Sequence, residues 1–296
     1  MHTFQVEESA PAGNSSFINV KQLTRNIGAE LLDIQITDIT RDDALFAEVQ
    51  SLLLKHKVLF LRDQEMTRAQ HVEFAKKFGP LEDGHPSTDN ESGVVLLYKD
   101  MSSEGHYENS FHSDTSWRET PSAASVLRCV EPAELGGDTI WANMVEAYRE
   151  LPDHIKDEVK DLRARHSFEA VFGASKPLEV RHELKEQFPD AEHPVVRTHP
   201  ETGEEVLYVD IFTTHFTNFH TPDRVRYGAD YSPGANDLLQ HLKSRAAIPE
   251  YQVRWAWTKN SVAIWDNRST QHYAVQDYWP AVRKMERATI AGGRTF

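Results

Sequence analysis

Cysteine occurs once in the 296 residues, at Cys129, so no intrachain disulfide and no thiolate metal cluster can form. A reducing, cytoplasmic setting fits that scarcity. Cys129 lies in the strand-like run Ser125-Val126-Leu127-Arg128-Cys129-Val130, where a free thiol behaves as a small buried hydrophobe, and no role is assigned to it. Long apolar runs are missing as well. Nothing approaches the roughly 18 residues of a membrane span, and residues 1–16 have no apolar signal core, so the chain is expected to be neither spanning nor exported. Basic charge is in deficit: 32 Lys and Arg stand against 46 Asp and Glu, a net charge of −14. That balance argues against nucleic-acid or anionic-membrane partners, which need broad positive fields. Any anionic ligand must be held by a few local arginines. Repeats and low-complexity tracts are also lacking, which excludes a solenoid.

What remains is ordinary globular composition, 39% hydrophobic and 26% charged. Residues 1–16 are polar and read as a loose tail, and 17–296 as one domain. Leu45, Phe46, Val49, Leu52 and Leu53 have helical spacing within 42–56, a buried strand follows at 58–62, and Thr67 opens a helix that Gly79-Pro80 stops. Beyond residue 94 short β-like runs recur, at 94–98, 110–117, 122–130, 139–143, 195–199, 206–209, 252–257, 262–265, 271–275 and 286–291. Pro200-Glu201-Thr202-Gly203 reads as a hairpin turn, and helices interrupt at 145–151, 153–161 and 235–246. The expected class is mainly β with flanking helices, a sandwich or barrel.

Within 110–117, read as a strand, His112 and Asp114 are two apart and would share a face. A third ligand from a distant strand, His272, would complete a 2-His-1-carboxylate facial triad, which leaves iron(II) open positions for a co-substrate and dioxygen. The spacing alone is weak. His71-Val72-Glu73, His106-Tyr107-Glu108 and His199-Pro200-Glu201 repeat it in a helix, a loop and a turn. His112 and Asp114 could equally be a hydrogen-bonded core pair. Arg283 and Arg287, four apart on a predicted strand 283–291, would look into one cavity, where their planar forks suit a carboxylate or sulfonate; Lys284 and Glu286 would face outward. Surface salt bridges are the alternative.

Several separated motifs then occur in order. They are His112-Ser113-Asp114, Gly136-Gly137-Asp138-Thr139, His193-Pro194-Val195-Val196-Arg197-Thr198-His199-Pro200, Phe212-Thr213-Thr214, Trp265-Asp266-Asn267-Arg268 with Gln271-His272-Tyr273-Ala274, and Arg283-Lys284-Met285-Glu286-Arg287. Together they resemble the TauD/TfdA family of taurine dioxygenase-like proteins, over nearly the whole chain from Phe17 to Gly292. The resemblance implies a double-stranded β-helix (jelly-roll) core, with His112, Asp114 and His272 as iron(II) ligands. Thr139 and Arg283 would anchor 2-oxoglutarate, and dioxygen would be the oxidant. It further implies Arg287 and His85 on the anionic head of the substrate, with Phe212 lining the pocket or serving as core. Homo-oligomers, dimers or tetramers, are common in the family.

Where taurine-specific members carry a tyrosine and an asparagine, this chain has Thr88 and Glu108. Glu108 could pair with a substrate amine or be a solvated loop carboxylate. The segment 217–232 also looks longer than in compact members. The implied reaction is hydroxylation of a small anionic organic substrate, first an alkanesulfonate that would release sulfite and an aldehyde. An alkyl sulfate ester or an aryloxyalkanoate is the alternative. From another class, a zinc-dependent jelly-roll hydrolase or isomerase could use the same triad, but would leave Thr139 and Arg283 unexplained.

Overall fold

The computed structural model describes residues 17–82, 95–99, 107–222 and 233–296. The tail at 1–16, His85, Thr88, His106 and residues 223–232 of the long segment lie outside them.

Strand Val58–Leu61, strand Val262–Asp266 and strand Ala124–Glu131 are adjacent in a seven-stranded sheet. Its full order is Asn19–Gln22, Ala29–Leu32, Val58–Leu61, Val262–Asp266, Ala124–Glu131, Arg283–Ile290, Val95–Lys99. The central strands are apolar on both faces because both are covered. Leu59, Leu61, Val262, Ile264 and Val126 pack outward with Phe46, Val49 and Phe74. Their alternate neighbours Val58, Phe60, Ala263, Trp265 and Leu127 pack inward with Trp141, Trp255 and Met285. This is the two-residue period of a strand with a hydrophobic layer on each side.

The outer layer is helical. In Asp43–His56, Asp42 caps by accepting from the Ala44 and Leu45 amides, and Phe46, Val49 and Leu53 are buried. In Arg68–Lys76, Thr67 and Gln70 form a reciprocal capping box. The inner layer is a three-stranded sheet, Gln252–Trp255, Thr139–Asn143, Thr270–Ala274. Between the sheets Phe60 stacks on Trp255 at 4.3 Å and meets Trp141 edge-on at 5.3 Å. Two facing sheets with helices outside form the jelly-roll core, as expected.

A second layer pairs Arg163–His166 with Thr213–Phe216 and Ala191–Pro194. None of its three strands was anticipated, nor were the helices Phe168–Phe172 and Leu178–Gln187. The hairpin was: Val196–Thr198 pairs with Glu205–Leu207, and Gly203 sits at φ +71 in the turn.

Two expectations fail. The run 110–117 is no strand: His112 makes one isolated bridge, and the chain then turns through Thr115 at φ +54. Polar residues occupy six of its eight positions, and the amides of Ser113 and Asp114 go to the Asp210 and Asn267 side chains, not to a ladder. Glu286 does not face solvent either. It is buried beneath helix Arg68–Lys76, where the Arg68 guanidinium donates to it at 2.7 Å and Arg128 stands 3.8 Å away, while Lys284 alone reaches outward, to Glu131.

Candidate metal and co-substrate site

The antiparallel bridge that replaces the expected strand is what brings the two histidines together. His112 and His272 exchange backbone hydrogen bonds at 3.1 and 2.8 Å, so their rings lie side by side with centroids 4.2 Å apart. The turn after His112 then swings Asp114 back toward them. One ligand atom from each of His112, Asp114 and His272 lies within 4.8 Å of the others, and all three residues are buried.

Each is held from behind. His112 Nδ1 sits 2.8 Å from the Ser110 carbonyl, so it carries the proton and leaves Nε2 as a donor toward the cluster. Asp114 is clamped by Asn267, which accepts from its amide at 2.8 Å and donates to its carbonyl at 2.9 Å. Ser125, on the inward face of its strand, donates to Asp114 Oδ2 at 3.1 Å. His272 lies between Trp265 and Trp141, with ring centroids 5.0 and 6.5 Å away. Burial pushes its imidazole down to about 3, and His112 adds to this against the pull of Asp114.

The set fits a metal ion. Two imidazoles and a carboxylate converge without bonding one another, since His272 Nε2 and Asp114 Oδ1 remain 4.0 Å apart. A neutral imidazole is also the form a metal requires.

The cavity beside the cluster is lined by His112, His272, Thr139, Arg283, Arg287, Glu108, Tyr278 and five other residues. Arg283 donates to Thr139 Oγ1 at 3.3 Å, and Trp257 Nε1 donates to the same oxygen at 2.9 Å. Arg287 lines this cavity too, as the strand period requires for residues four apart, and donates to Asp114 Oδ1 at 2.8 Å. Phe212 is elsewhere: it packs in a cluster with Trp117 and Phe168, 6.4 Å from the His112 ring, and does not line the cavity.

Two of the decoys resolve as structural, and His106 lies outside the described residues. His71 is buried in its helix against the Val126 carbonyl at 3.0 Å, and His199 bonds Asp266 at 2.8 Å. Asn267, Ser125 and Trp257 were not picked out individually. Asn267 lay inside a quoted motif, and Ser125 is a polar residue in an otherwise apolar strand, which is the signal that could have found it.

A jelly roll with a buried His-Asp-His cluster opening on an arginine-lined cavity defines a mononuclear metal enzyme. The comparisons with known proteins narrow this. The profile of the family described as "Taurine catabolism dioxygenase TauD, TfdA family" matches residues 19–289. The chain is 35% identical to an alkylsulfatase of Acinetobacter baylyi, over 93% of this chain and 85% of that one. It is also 35% identical to an alpha-ketoglutarate-dependent sulfate ester dioxygenase of Pseudomonas putida, over 96% and 92%. The solved structure of AAD-2, in complex with Mn(II) and N-oxalylglycine, superposes with a TM-score of 0.78 at 28% identity, covering 95% of this chain and 99% of that one.

The chain belongs to the TauD/TfdA family. It is an iron(II)- and 2-oxoglutarate-dependent dioxygenase, and the zinc-hydrolase reading falls away. Among the described residues no helix is long and apolar enough to cross a membrane.

Proposed function

We propose that the enzyme oxidises the carbon next to the ester oxygen of a small alkyl sulfate, giving an aldehyde and sulfate while 2-oxoglutarate becomes succinate and carbon dioxide. One observation carries the site assignment: His112, Asp114 and His272 converge beside a cavity that also holds the Thr139–Arg283 pair and Arg287. His112, Asp114 and His272 would hold iron(II), which supplies the activation of dioxygen and the decarboxylation of 2-oxoglutarate when bound. Arg283 and Thr139 fix the far carboxylate of the co-substrate by charge-assisted hydrogen bonds, which sets its orientation. Arg287, with His85, grips the anionic head of the primary substrate. Glu108 lines the same cavity and disfavours a second anionic group in the substrate's tail. Phe212 acts at most as a wall behind His112.

Oxygen inserted at a carbon bearing a sulfate ester gives a hemiacetal-like product. It collapses to the aldehyde as the C–O bond to sulfate breaks and the hydroxyl proton leaves. The two relatives at 35% identity favour the ester over a sulfonate. A sulfonate such as taurine is the second reading, favoured by the family's description, and would release sulfite by the same logic; an aryloxyalkanoate has less support. We further take residues 17–296 as a single domain working in the cytoplasm as a homo-oligomer, dimer or tetramer.

The test is succinate formation and oxygen uptake with iron(II) and 2-oxoglutarate over hexyl sulfate, hexanesulfonate, taurine and phenoxyacetate. Turnover with hexyl sulfate that releases sulfate and hexanal supports the proposal. Sulfite from a sulfonate at higher kcat/KM would replace it with the second reading, and succinate formation indifferent to iron would remove the site assignment.

A further inference from the structure

The two ligand-bearing segments, the turn after His112 and strand Thr270–Ala274, meet at one bridge between His112 and His272. A single bridge is a weak clamp for a turn that must place Asp114 to within a fraction of an ångström. Asn267 holds the Asp114 backbone, Ser113 Oγ donates to the Thr270 carbonyl at 2.8 Å, and residues 209–211 add a further brace. Gln271 Nε2 donates to the Val209 carbonyl at 2.7 Å, and the Ile211 amide reaches the Phe111 carbonyl at 3.4 Å, so this segment is tied to a neighbour of each metal histidine.

Between them stands Asp210, which is only 3% exposed. Its Oδ2 accepts the Ser113 amide at 3.1 Å and the Ser116 hydroxyl at 2.7 Å. Its Oδ1 accepts the Phe212 amide at 2.9 Å, with His166 Nδ1 at 3.7 Å. One carboxylate oxygen thus spans both sides of Asp114, binding the residue before it and the residue two after it. Because Thr115 sits at φ +54, the turn adopts a backbone that a β-branched residue resists, and it needs such external bonds to persist. The hydrogen bonds that Asp210 accepts come from Ser113, Ser116 and Phe212, not from the side chains of His112, Asp114 or His272. Burying a carboxylate behind the site is costly unless every acceptor is used, and here the donors are the backbone and hydroxyl of the ligand turn itself.

We infer that Asp210 is a positioning residue for the metal site, holding the Asp114 turn in its ligating conformation through Ser113 and Ser116. The inference rests on the metal reading above. It predicts that metal affinity depends on a carboxylate that never meets the metal, as with outer partners of metal ligands, whose loss typically weakens binding about 10- to 100-fold.

The experiment is titration of the metal-free protein with Mn(II), read as a dissociation constant well below the melting temperature, with circular dichroism confirming the fold. Asp210→Asn should weaken Mn(II) binding about tenfold or more. Ser116→Ala, which leaves all charges in place, should weaken it by a few fold, in rough proportion to one lost hydrogen bond. Val159→Ala, which opens a cavity under helix Asp153–Val159, serves as a control that lowers stability and should leave the constant unchanged. If Asp210→Asn does not fold, Ser116→Ala decides alone. Unchanged affinity in the variants that fold overturns the inference, as does an equal loss in Val159→Ala. If the wild type itself binds no Mn(II), or binds it equally after His112→Ala, the metal reading fails instead.

Discussion

Two groupings of histidine and carboxylate each take one member from the segment 266–272, and they do opposite things with the same kinds of atom. In the first, His199 Nε2 meets Asp266 at 2.8 Å, Arg268 donates to both oxygens of Asp266 at 2.9 and 3.0 Å, and His199 Nδ1 accepts the Thr202 amide at 3.1 Å. Every polar atom is matched within the protein. Burial alone would raise the Asp266 carboxyl, but the His199 bond and the Arg268 guanidinium prevail and hold it well below the usual carboxylate range. In the second grouping, His272 and Asp114 come only within 4.0 Å, and both are steadied from behind by Trp265, Asn267 and Ser125. A pair that closes on itself is a brace. A set whose donors are held near one another yet kept from bonding is a place for an ion.

Removing a ligand should separate the two most sharply. His112→Ala, Asp114→Ala or His272→Ala should abolish measurable Mn(II) binding and cut turnover by about a thousandfold or more, the order seen when a residue of a cooperating catalytic set is lost. The variants should remain folded. His199→Ala should do the reverse, destabilising the protein by about 1–3 kcal/mol because it takes a hydrogen-bond donor from the buried Asp266 carboxylate, with metal affinity within a few fold in the folded fraction. Calorimetric melting beside Mn(II) titration reads both. Full stability with lost metal binding in His199→Ala would erase the distinction.

Within the cavity, the arginines should differ in what they serve. Arg283→Ala leaves Thr139 without one of its two donors and should raise the KM for 2-oxoglutarate about a hundredfold with every primary substrate, the worth of a charged hydrogen-bonded contact. Arg287→Ala should raise the KM of the primary substrate about tenfold or more and that of 2-oxoglutarate by less than threefold. Its 2.8 Å bond to Asp114 adds a fall in kcat that Arg283→Ala does not share. Steady-state kinetics with each substrate varied in turn checks the division, and equal losses of both kinds would undo it.

The layers of the fold were legible because a strand buried on both faces must read as a continuous apolar run, and 58–62, 122–130 and 262–265 do. Helix 43–56 was legible through its apolar spacing, while the Asp42 cap came only with the structure. Strands 163–166 and 213–216 were not legible, because they are short, polar on one side and paired across a long separation, as Ala164 with Phe216 is. For the site, His112, Asp114, His272, Thr139 and Arg283 were readable as types in order, yet the reason offered for the first two was wrong. They converge through a bridge and a left-handed turn, not by facing one way on a strand. Glu286 shows the same limit. Alternation placed it away from the cavity correctly, but no local pattern announces that a helix 218 residues earlier in sequence covers that face with Arg68.

A third way of housing histidine extends the comparison and gives the smallest expected effect. His71, His166 and His193 are buried without a carboxylate in direct hydrogen-bond contact. Burial pushes His71 down to about 4 and the other two to about 3, with His166 pushing further on His193. In the unfolded chain all three would titrate near 6.5. Below that pH the unfolded state takes up protons that the folded state refuses, so stability is fully present above pH 6.5 and falls as the pH drops toward the folded values. Each histidine costs at most about 1.4 kcal/mol per pH unit in that window. The metal-free protein should therefore melt lower at pH 5.5 than at 6.5, with little change between 6.5 and 7.5. His71→Gln keeps a donor for the Val126 carbonyl but removes the titrating ring, and should recover about a quarter of the loss, because His272 titrates with the other three in the metal-free protein. A melting temperature that does not move between pH 6.5 and 5.5 would show that these rings are not held neutral, and that burial without a carboxylate partner is no distinct third state.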